Sequence, residues 1–324
     1  MSEEVRGLAE RYGYRPYMVS RYLEILKDFR EVEEMLRAFE KRLRPVVRCN
    51  TLKLPNCQEL TERLARLGFL LRNIEWCSEA YEVVKEPEKP SLGSTHEYLT
   101  GLYYLYRGKA SLIPPITLEP TKEDDVVDLA AAPGGKTTHM AQIMRNEGLI
   151  VALEPNKERI KILRNNVERL GVKNTVLIKL DGREVSKVFK NTFTKALLDA
   201  PCTGEGIIMI DPARKTKTSL EDLVRHHEKQ KELLRNALDS LKSGGRILYT
   251  TCSIAPEENE LVLSEVLKER DDVDVVSLEA PVRLAPPVMD YYGIHVDDRV
   301  RRCGRTYPHI HEMEGFFICL MKLK

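Results

Sequence analysis

Apolar residues recur at helical spacing near the amino terminus. In MVSRYLEILKDF, Val19, Tyr22, Leu23 and Leu26 share one face, and Val32, Met35, Leu36 and Phe39 repeat the pattern after a break. Residues 3–43 therefore read as helices. Shorter apolar runs follow: Val46 to Leu54 as a strand, Gln58 to Leu67 as a helix, then Phe69 to Trp76 and Tyr81 to Lys85 as two strands. This βαββ-like stretch predicts a small sheet with packed helices. Pro87 to Ser94 reads as a loop, and the tyrosine-rich Tyr98 to Leu112 as a helix. From about residue 115 strands and helices alternate regularly. The strands predicted are Asp125–Ala130, Leu149–Glu154, Thr175–Asp181, Lys195–Asp199, Arg246–Thr251, Val273–Leu278 and Gly315–Leu323, and the main helices lie at Lys136–Asn146, Lys157–Leu170, Leu220–Leu241 and Glu257–Lys268. Seven strands with an antiparallel last pair make an α/β, doubly wound sheet with a hairpin edge. The expected divisions are 1–44 (helical), 45–114 (small α+β) and 115–324 (the large core).

Size and composition narrow the class. A chain of 324 residues can hold one large domain and a smaller one. Its 42% hydrophobic and 31% charged residues suit a soluble globular protein. No apolar run approaches the ~20 residues of a membrane span. The charged start MSEEVRGLAERYGYR has no signal-peptide core, so a cytoplasmic chain without membrane attachment is expected, with a monomer as the default. The seven cysteines contain no CxxC pair, which removes zinc ribbons and thioredoxin-type motifs. Cys49, Cys57, Cys77 and Cys319 are expected as reduced, buried thiols. Cys303, His309, His311 and Cys319 match no closed zinc spacing, so no metal is expected; a strand there would put both rings on one face. His226 and His227, on a charged helix, read as solvated. The net charge of +1 is uninformative, but basic runs at Lys41 to Arg48, Ala213 to Lys217 and Arg299 to Arg305 would together suit an anionic backbone. Three glutamines beside abundant Glu, Lys and Arg lean towards a thermophilic source.

Candidate chemistry gathers at predicted strand ends. Cys202 closes KALLDAPCTG and Cys252 closes GRILYTTCS. In an α/β sheet, catalytic groups collect outside the carboxyl ends of the strands, so two neighbouring strands would aim these thiols into one crevice. Upstream, DLAAAPGGKTT runs from strand through a small-residue turn into a helix. Gly134 and Gly135 allow close backbone approach, and the helix amides favour an anion or carboxylate. A phosphate-binding P-loop would need glycine at Ala130, which argues against it; a P-loop hydrolase binding ATP or GTP with magnesium stays open as a second reading. Glu154, Asp181 and Asp199 end three successive strands. Glu154 suits ribose hydroxyls and Asp181 an adenine edge, a pattern that favours S-adenosylmethionine.

These residues together resemble the Nop/Sun family of RNA cytosine-5 methyltransferases. The matching pieces are AAAPGGKT (130–137), LEPNKERI (153–160), DGRE (181–184), LLDAPCTGEG (197–206) and TTCSIAPEENE (250–260), with RCNTLKL (48–54) and YPHIHEMEGFFICLMKL outside the core. The resemblance spans about residues 14–324, and DAPC with TTCS is its most specific part. It implies a Rossmann-like methyltransferase core, an RNA-recognition-like region over 45–114, S-adenosylmethionine as cofactor and RNA as partner. The cofactor site implied is Ala130, Ala131, Ala132, Pro133, Gly134, Gly135, Lys136, Glu154, Arg159, Asp181 and Asp199. The compact chain resembles the smaller tRNA-acting members, with ribosomal RNA the alternative substrate. Where the family commonly has a glutamine before the serine of YLYRGKAS, this chain has Arg107 and Gly108.

Cytosine C5 is a poor nucleophile until a thiolate adds to C6. Spacing alone does not rank the two thiols. The resemblance implies Cys252 as nucleophile and Cys202 as the group that assists product release. Asp199 suits N3 and the amino group of cytosine, and Lys136 the base or its phosphate; the lysine also favours a thiolate nearby. Pro201 would stiffen the turn that aims Cys202. The base must leave its stack, with Arg48, Asn50 and Lys53 as expected RNA contacts. An amino-group methyltransferase would carry an aromatic where Cys202 stands. A non-catalytic RNA-binding factor would not need the two thiols, Asp199 and Lys136 intact.

Overall fold

The computed structural model describes residues 2–324. Three helices, Glu3–Tyr12, Pro16–Leu26 and Phe29–Phe39, open the chain. The Ser2 hydroxyl caps the first, Gly13 ends it at φ 73°, and the Asp28 carboxylate caps the third. Their apolar faces bury Val19, Tyr22, Val32, Met35 and Phe39 against Ile208, Ile254, Tyr291 and Tyr307 of the large core. The amino-terminal helices thus back the segments that follow Cys202 and Cys252. Arg21, buried, fastens the joint by donating to Glu205 at 2.8 Å and Glu257 at 2.7 Å.

The small sheet contains β1 (Val46–Cys49), β2 (Leu70–Ile74), β3 (Cys77–Lys85) and β4 (Tyr103–Tyr106), in the order β2-β3-β1-β4 with antiparallel pairing. Helix Cys57–Arg66 covers it through Leu60 and Leu64. The helix expected over Tyr98 to Leu112 is corrected here: its centre is β4. The YYLY run has strand-forming side chains, and β1 offers it a free edge, with Cys49 opposite Tyr103.

The large sheet contains β5 (Asp125–Asp128), β6 (Leu149–Leu153), β7 (Thr175–Ile178), β8 (Phe193–Asp199), β9 (Leu241–Thr251), β10 (Val273–Val275) and β14 (Phe316–Leu323). Its order is β10-β14-β9-β8-β5-β6-β7. Strands β5 to β9 pair in parallel, and β14 runs antiparallel between β9 and β10. A short pair, β11 (Asp290–Tyr291) and β12 (Ile294–His295), precedes β13 (Gly304–Thr306), which pairs with β14. All seven predicted strands are present. The chain leaves β5 towards β6 and returns to its other side at β8. That reversal is the switch point at which such sheets bind ligands.

The thiols expected to be reduced are only partly so. Cys49 is bonded to Cys57 and Cys303 to Cys319, leaving Cys77, Cys202 and Cys252 free. The pairings follow from tertiary neighbours: β13 lies beside β14, and the helix starting at Cys57 folds back on β1. The basic run Arg299 to Arg305 is divided, with Arg301 and Arg302 exposed and Arg305 buried. Arg299 pairs with Asp297 at 2.8 Å, Arg302 donates to the Val275 carbonyl, and Arg305 is buried against Glu260. Removing one member of a buried pair strands the other charge. Glu260→Gln is therefore expected to cost about 3 kcal/mol, read as a lower chemical-denaturation midpoint, whereas Asp298→Asn at the exposed Arg301 pair leaves it nearly unchanged.

Candidate active site

Strands β8 and β9 run parallel with Asp199 opposite Thr250, so the loops leaving them start side by side. Cys202 and Cys252, both half-buried, meet there with their sulfurs 3.3 Å apart. Each loop is held by buried polar groups. Glu258 accepts from the Thr203 amide at 2.8 Å and its hydroxyl at 2.6 Å. Gln230 donates to the Pro201 carbonyl at 2.8 Å, and the His226 ring meets the same carbonyl at 3.2 Å. Asn259 donates to the Ser253 carbonyl at 2.9 Å and accepts from the Thr251 hydroxyl at 2.5 Å. Gly206 binds the Cys252 carbonyl and receives the Gly315 amide, both at 2.9 Å. A Cβ on Gly206 would stand 1.9 Å from the Gly315 carbonyl oxygen, so only glycine permits this approach. The hydrogen bond with Cys252, then burial, push the Cys202 thiol well above the ordinary cysteine range.

Lys136 and Asp199 complete the floor. Lys136 Nζ donates to Asp199 Oδ2 at 2.6 Å and lies over the Phe316 ring at 5.6 Å. Burial opposes the charge on Lys136, but Asp199 and the nearby Cys252 outweigh it and hold the ammonium above its ordinary pKa. Asp199 also accepts from the Thr250 hydroxyl at 3.3 Å. Burial pushes the Asp128 carboxyl up to about 6, against the hydrogen bond from the Thr137 hydroxyl at 2.6 Å.

A cleft of about 100 Å³ opens at the switch point, lined by Tyr104, Tyr106, Ser111, Asp128, Ala130–Pro133, Gly135, Lys136 and Asp199. Gly134 adopts φ 108° and packs against Leu163, while a Cβ on Gly135 would meet Tyr106 at 2.9 Å. Both glycines thus serve the packing of the turn, and Gly135 also lines the cleft. Glu154, buried at the end of β6, accepts the Asn156 amide at 3.0 Å and keeps acceptor capacity for a diol. Asp181 stands at the neighbouring strand end, paired with Arg183 at 2.9 Å. Arg159 braces the turn through the Ala132 carbonyl at 2.7 Å. Carboxylates at successive strand ends beside a small-residue turn fit the ribose, base and amino-acid ends of S-adenosylmethionine.

The expected RNA contacts are not brought to this site. Arg48 is buried, and its guanidinium donates to the Tyr106 hydroxyl at 2.6 Å, the Gly135 carbonyl at 3.0 Å and the Thr138 hydroxyl at 3.0 Å. Asn50, also buried, donates to the Gly101 and Leu170 carbonyls at 2.8 Å. Lys53 reaches the Thr100 and Arg169 carbonyls. All three join the small sheet to the core, because each finds carbonyl or hydroxyl partners there. Nor are His226 and His227 simply solvated: His227 meets the Glu257 carbonyl at 2.6 Å. The HIH segment is a short helix, Pro308–His311, instead of a strand. Glu258, Asn259, Gln230 and Arg21 went unpredicted, although Glu258 and Asn259 lie within TTCSIAPEENE. Gly108 is explained by Glu314, whose carboxylate occupies the space of a Cβ there and accepts the Ala110 amide at 3.1 Å.

Comparison with known proteins agrees with this geometry. Residues 115–322 match the family described as 16S rRNA methyltransferase RsmB/F, and residues 16–106 match the N-terminal domain of 16S rRNA methyltransferase RsmF. The human 28S rRNA (cytosine(4447)-C(5))-methyltransferase is 38% identical over 98% of this chain and 39% of its own length. Ribosomal RNA small subunit methyltransferase F of Shewanella woodyi is 36% identical over 90% of this chain and 59% of its own. The chain thus spans about two-fifths to three-fifths of these relatives. The crystal structure of a methyltransferase homolog protein from Pyrococcus horikoshii superposes with a TM-score of 0.87 at 35% identity, covering 100% of both chains. The chain belongs to the RsmB/F, or Nop/Sun, family of S-adenosylmethionine-dependent RNA cytosine-5 methyltransferases.

Proposed function

We propose that this protein methylates C5 of a cytosine in RNA through a covalent Cys252–C6 adduct. The observation that carries the reading is the thiol pair, 3.3 Å apart, beside the Lys136–Asp199 pair at the switch point. Cys252 adds to C6, and the displaced ring electrons make C5 nucleophilic. Bound S-adenosylmethionine supplies an electrophilic methyl group. Asp199 holds N3 and the exocyclic amine, and Lys136 balances negative charge that develops on the ring. A base then takes the C5 proton, the C5–H electron pair restores the C5=C6 double bond, and the C6–S pair leaves on Cys252 as thiolate, a release that Cys202 assists. Glu154 and Asp181 would hold the ribose and adenine of the cofactor, with the 130–136 turn around its amino-acid end.

Asp199→Asn is expected to lower single-turnover methyl transfer by about 10²-fold or more, because it both weakens the grip on N3 and removes the counter-charge of Lys136. Unchanged transfer would remove Asp199 from the mechanism. The cations best disposed for an RNA backbone are Lys41, Arg42 and Arg44. They line a cleft that also contains Met209, on the segment leading from Cys202.

The names of the relatives, 28S and small-subunit rRNA methyltransferases, favour ribosomal RNA as substrate, with tRNA the alternative. The deciding experiment is tritium transfer from labelled S-adenosylmethionine to unmodified ribosomal RNA and tRNA separately, followed by nucleoside analysis. Label in 5-methylcytidine supports the reaction, and the pool carrying it names the substrate. Cofactor binding with no label in either pool would leave a non-catalytic RNA-binding role.

No helix among the described residues is long and apolar enough to cross a membrane. Placement in the cytoplasm and action as a monomer remain part of the proposal, tested by fractionation and sedimentation.

A further inference from the structure

Away from the thiol pair, the joint between the small sheet and the core contains a second cluster of ligand-type side chains. Cys77 and Glu79 project from the same side of β3, two positions apart on a pleated strand. His139 faces them from the helix Gly135–Ile143, whose first turn lines the cofactor cleft. One ligand atom from each of the three lies within 4.8 Å of the others, and His139 Nε2 stands 3.6 Å from Glu79 Oε1. Cys77 is the free cysteine that takes no part in the proposed chemistry.

His139 makes the cluster unusual. It is wholly buried; Nδ1 has no hydrogen-bond partner, and Nε2 faces only Glu79 Oε1, just beyond hydrogen-bond distance at 3.6 Å. Leaving a buried polar atom unsatisfied costs about 1–3 kcal/mol, so a ring placed this way needs a reason. A metal ion on Nε2 satisfies one of the two atoms and draws the thiol and carboxylate together. Zinc–ligand bonds of about 2.0–2.3 Å put tetrahedral ligands roughly 3.3–3.8 Å apart, so a side-chain adjustment of about 1 Å closes the set.

We infer that Cys77, Glu79 and His139 form a metal site for a borderline-soft divalent cation, best matched by zinc, that ties β3 to the helix bearing the cofactor turn. Thiolate, imidazole and carboxylate are the zinc donor set, and their two negative charges neutralise the ion. Arg48, the neighbouring cation, directs its guanidinium to Tyr106, Gly135 and Thr138. The fourth position is open to water, because Glu79 lines a broad cleft shared with Gln58, Gln142 and Arg145. Gln142 lies one helical turn after His139 on the same face. Its buried Oε1 has no partner and is suited to accept from that water. Sequence spacing did not disclose the site because its ligands come from two elements far apart in the chain.

The test uses the full chain with Cys202→Ser and Cys252→Ser, so that the catalytic thiols bind no metal. After chelation and removal of the chelator, the protein is titrated with cobalt(II) and then zinc. The expected result is a thiolate-to-cobalt charge-transfer band that saturates at a single equivalent and is displaced by zinc. Adding Cys77→Ser should abolish the band. Glu79→Gln should keep it at saturation but weaken cobalt binding at least about tenfold, since even outer-shell changes cost 10–100-fold. If Cys77→Ser fails to fold by circular dichroism, the Glu79→Gln affinity decides. Absence of the band at stoichiometric cobalt, its persistence in Cys77→Ser, or unchanged affinity in Glu79→Gln would overturn the site.

Discussion

Cys252→Ala is expected to lower methyl transfer to RNA by at least about 10⁴-fold, the scale on which enzymes lose turnover when a covalent nucleophile is removed. The second thiol, Cys202, loses its hydrogen bond to Cys252 in this variant but keeps the burial that also raises its pKa. The substitution should leave S-adenosylmethionine binding nearly intact. Cys252 does not line the cleft formed by Asp128, the 130–135 turn, Lys136 and Asp199. Tritium transfer under single-turnover conditions, beside calorimetric titration with the cofactor, separates the two effects. Wild-type turnover in Cys252→Ala would mean that another group attacks C6 or that no adduct forms.

Cys202→Ala has an opposite signature. Addition to C6 needs only Cys252, so the first half of the reaction survives. Release needs the C5 proton removed while the C6–S bond breaks, beside a sulfur 3.3 Å away. Without Cys202 the methylated adduct should accumulate as a protein–RNA band that survives denaturing electrophoresis, absent when Cys252 is also alanine. Turnover should fall by about 10²-fold or more, the usual range for a lost acid–base group. Free product at the wild-type rate, with no retained band, would assign release to another residue.

How much of this was legible beforehand differed by residue. Strands β5 and β6, and the stretches Ala196–Leu198 of β8 and Ile247–Tyr249 of β9, are buried apolar runs, as parallel strands must be; their positions could be read directly. The tyrosines of β4 fitted helix or strand until β1 supplied an edge. Asp199, Lys136 and the two cysteines were recognisable because their motifs are local. Arg48 and Asn50 sit in an equally recognisable motif, yet their side chains turned inward. A polar residue in a strand-like run carries no mark of whether water or a distant carbonyl will satisfy it.

The residues that hold the two cysteine loops show the same division. Glu258 and Asn259 were visible as letters of TTCSIAPEENE, but their task depends on the Cys202 loop, which arrives from another strand. Gln230 and His226 reach Pro201 only because the helix Leu220–Ser240 packs across that loop. Arg21 lies in the first part of the chain and steadies Glu205, near the thiol, through a contact no local pattern encodes.

The sequence by itself determined the class of sheet, the strand ends to which the proposed chemistry is assigned, and the residue types at those ends. Period and composition along the chain are enough for that, since a buried strand and its turn are local objects. Tertiary structure alone decided the 3.3 Å meeting of the thiols, the pairing of four other cysteines in disulfides, and which basic residues became internal braces. Each of these depends on distances between segments remote in the chain. Such distances arise only when the parallel strands pair in register and the amino-terminal helices close over the loops.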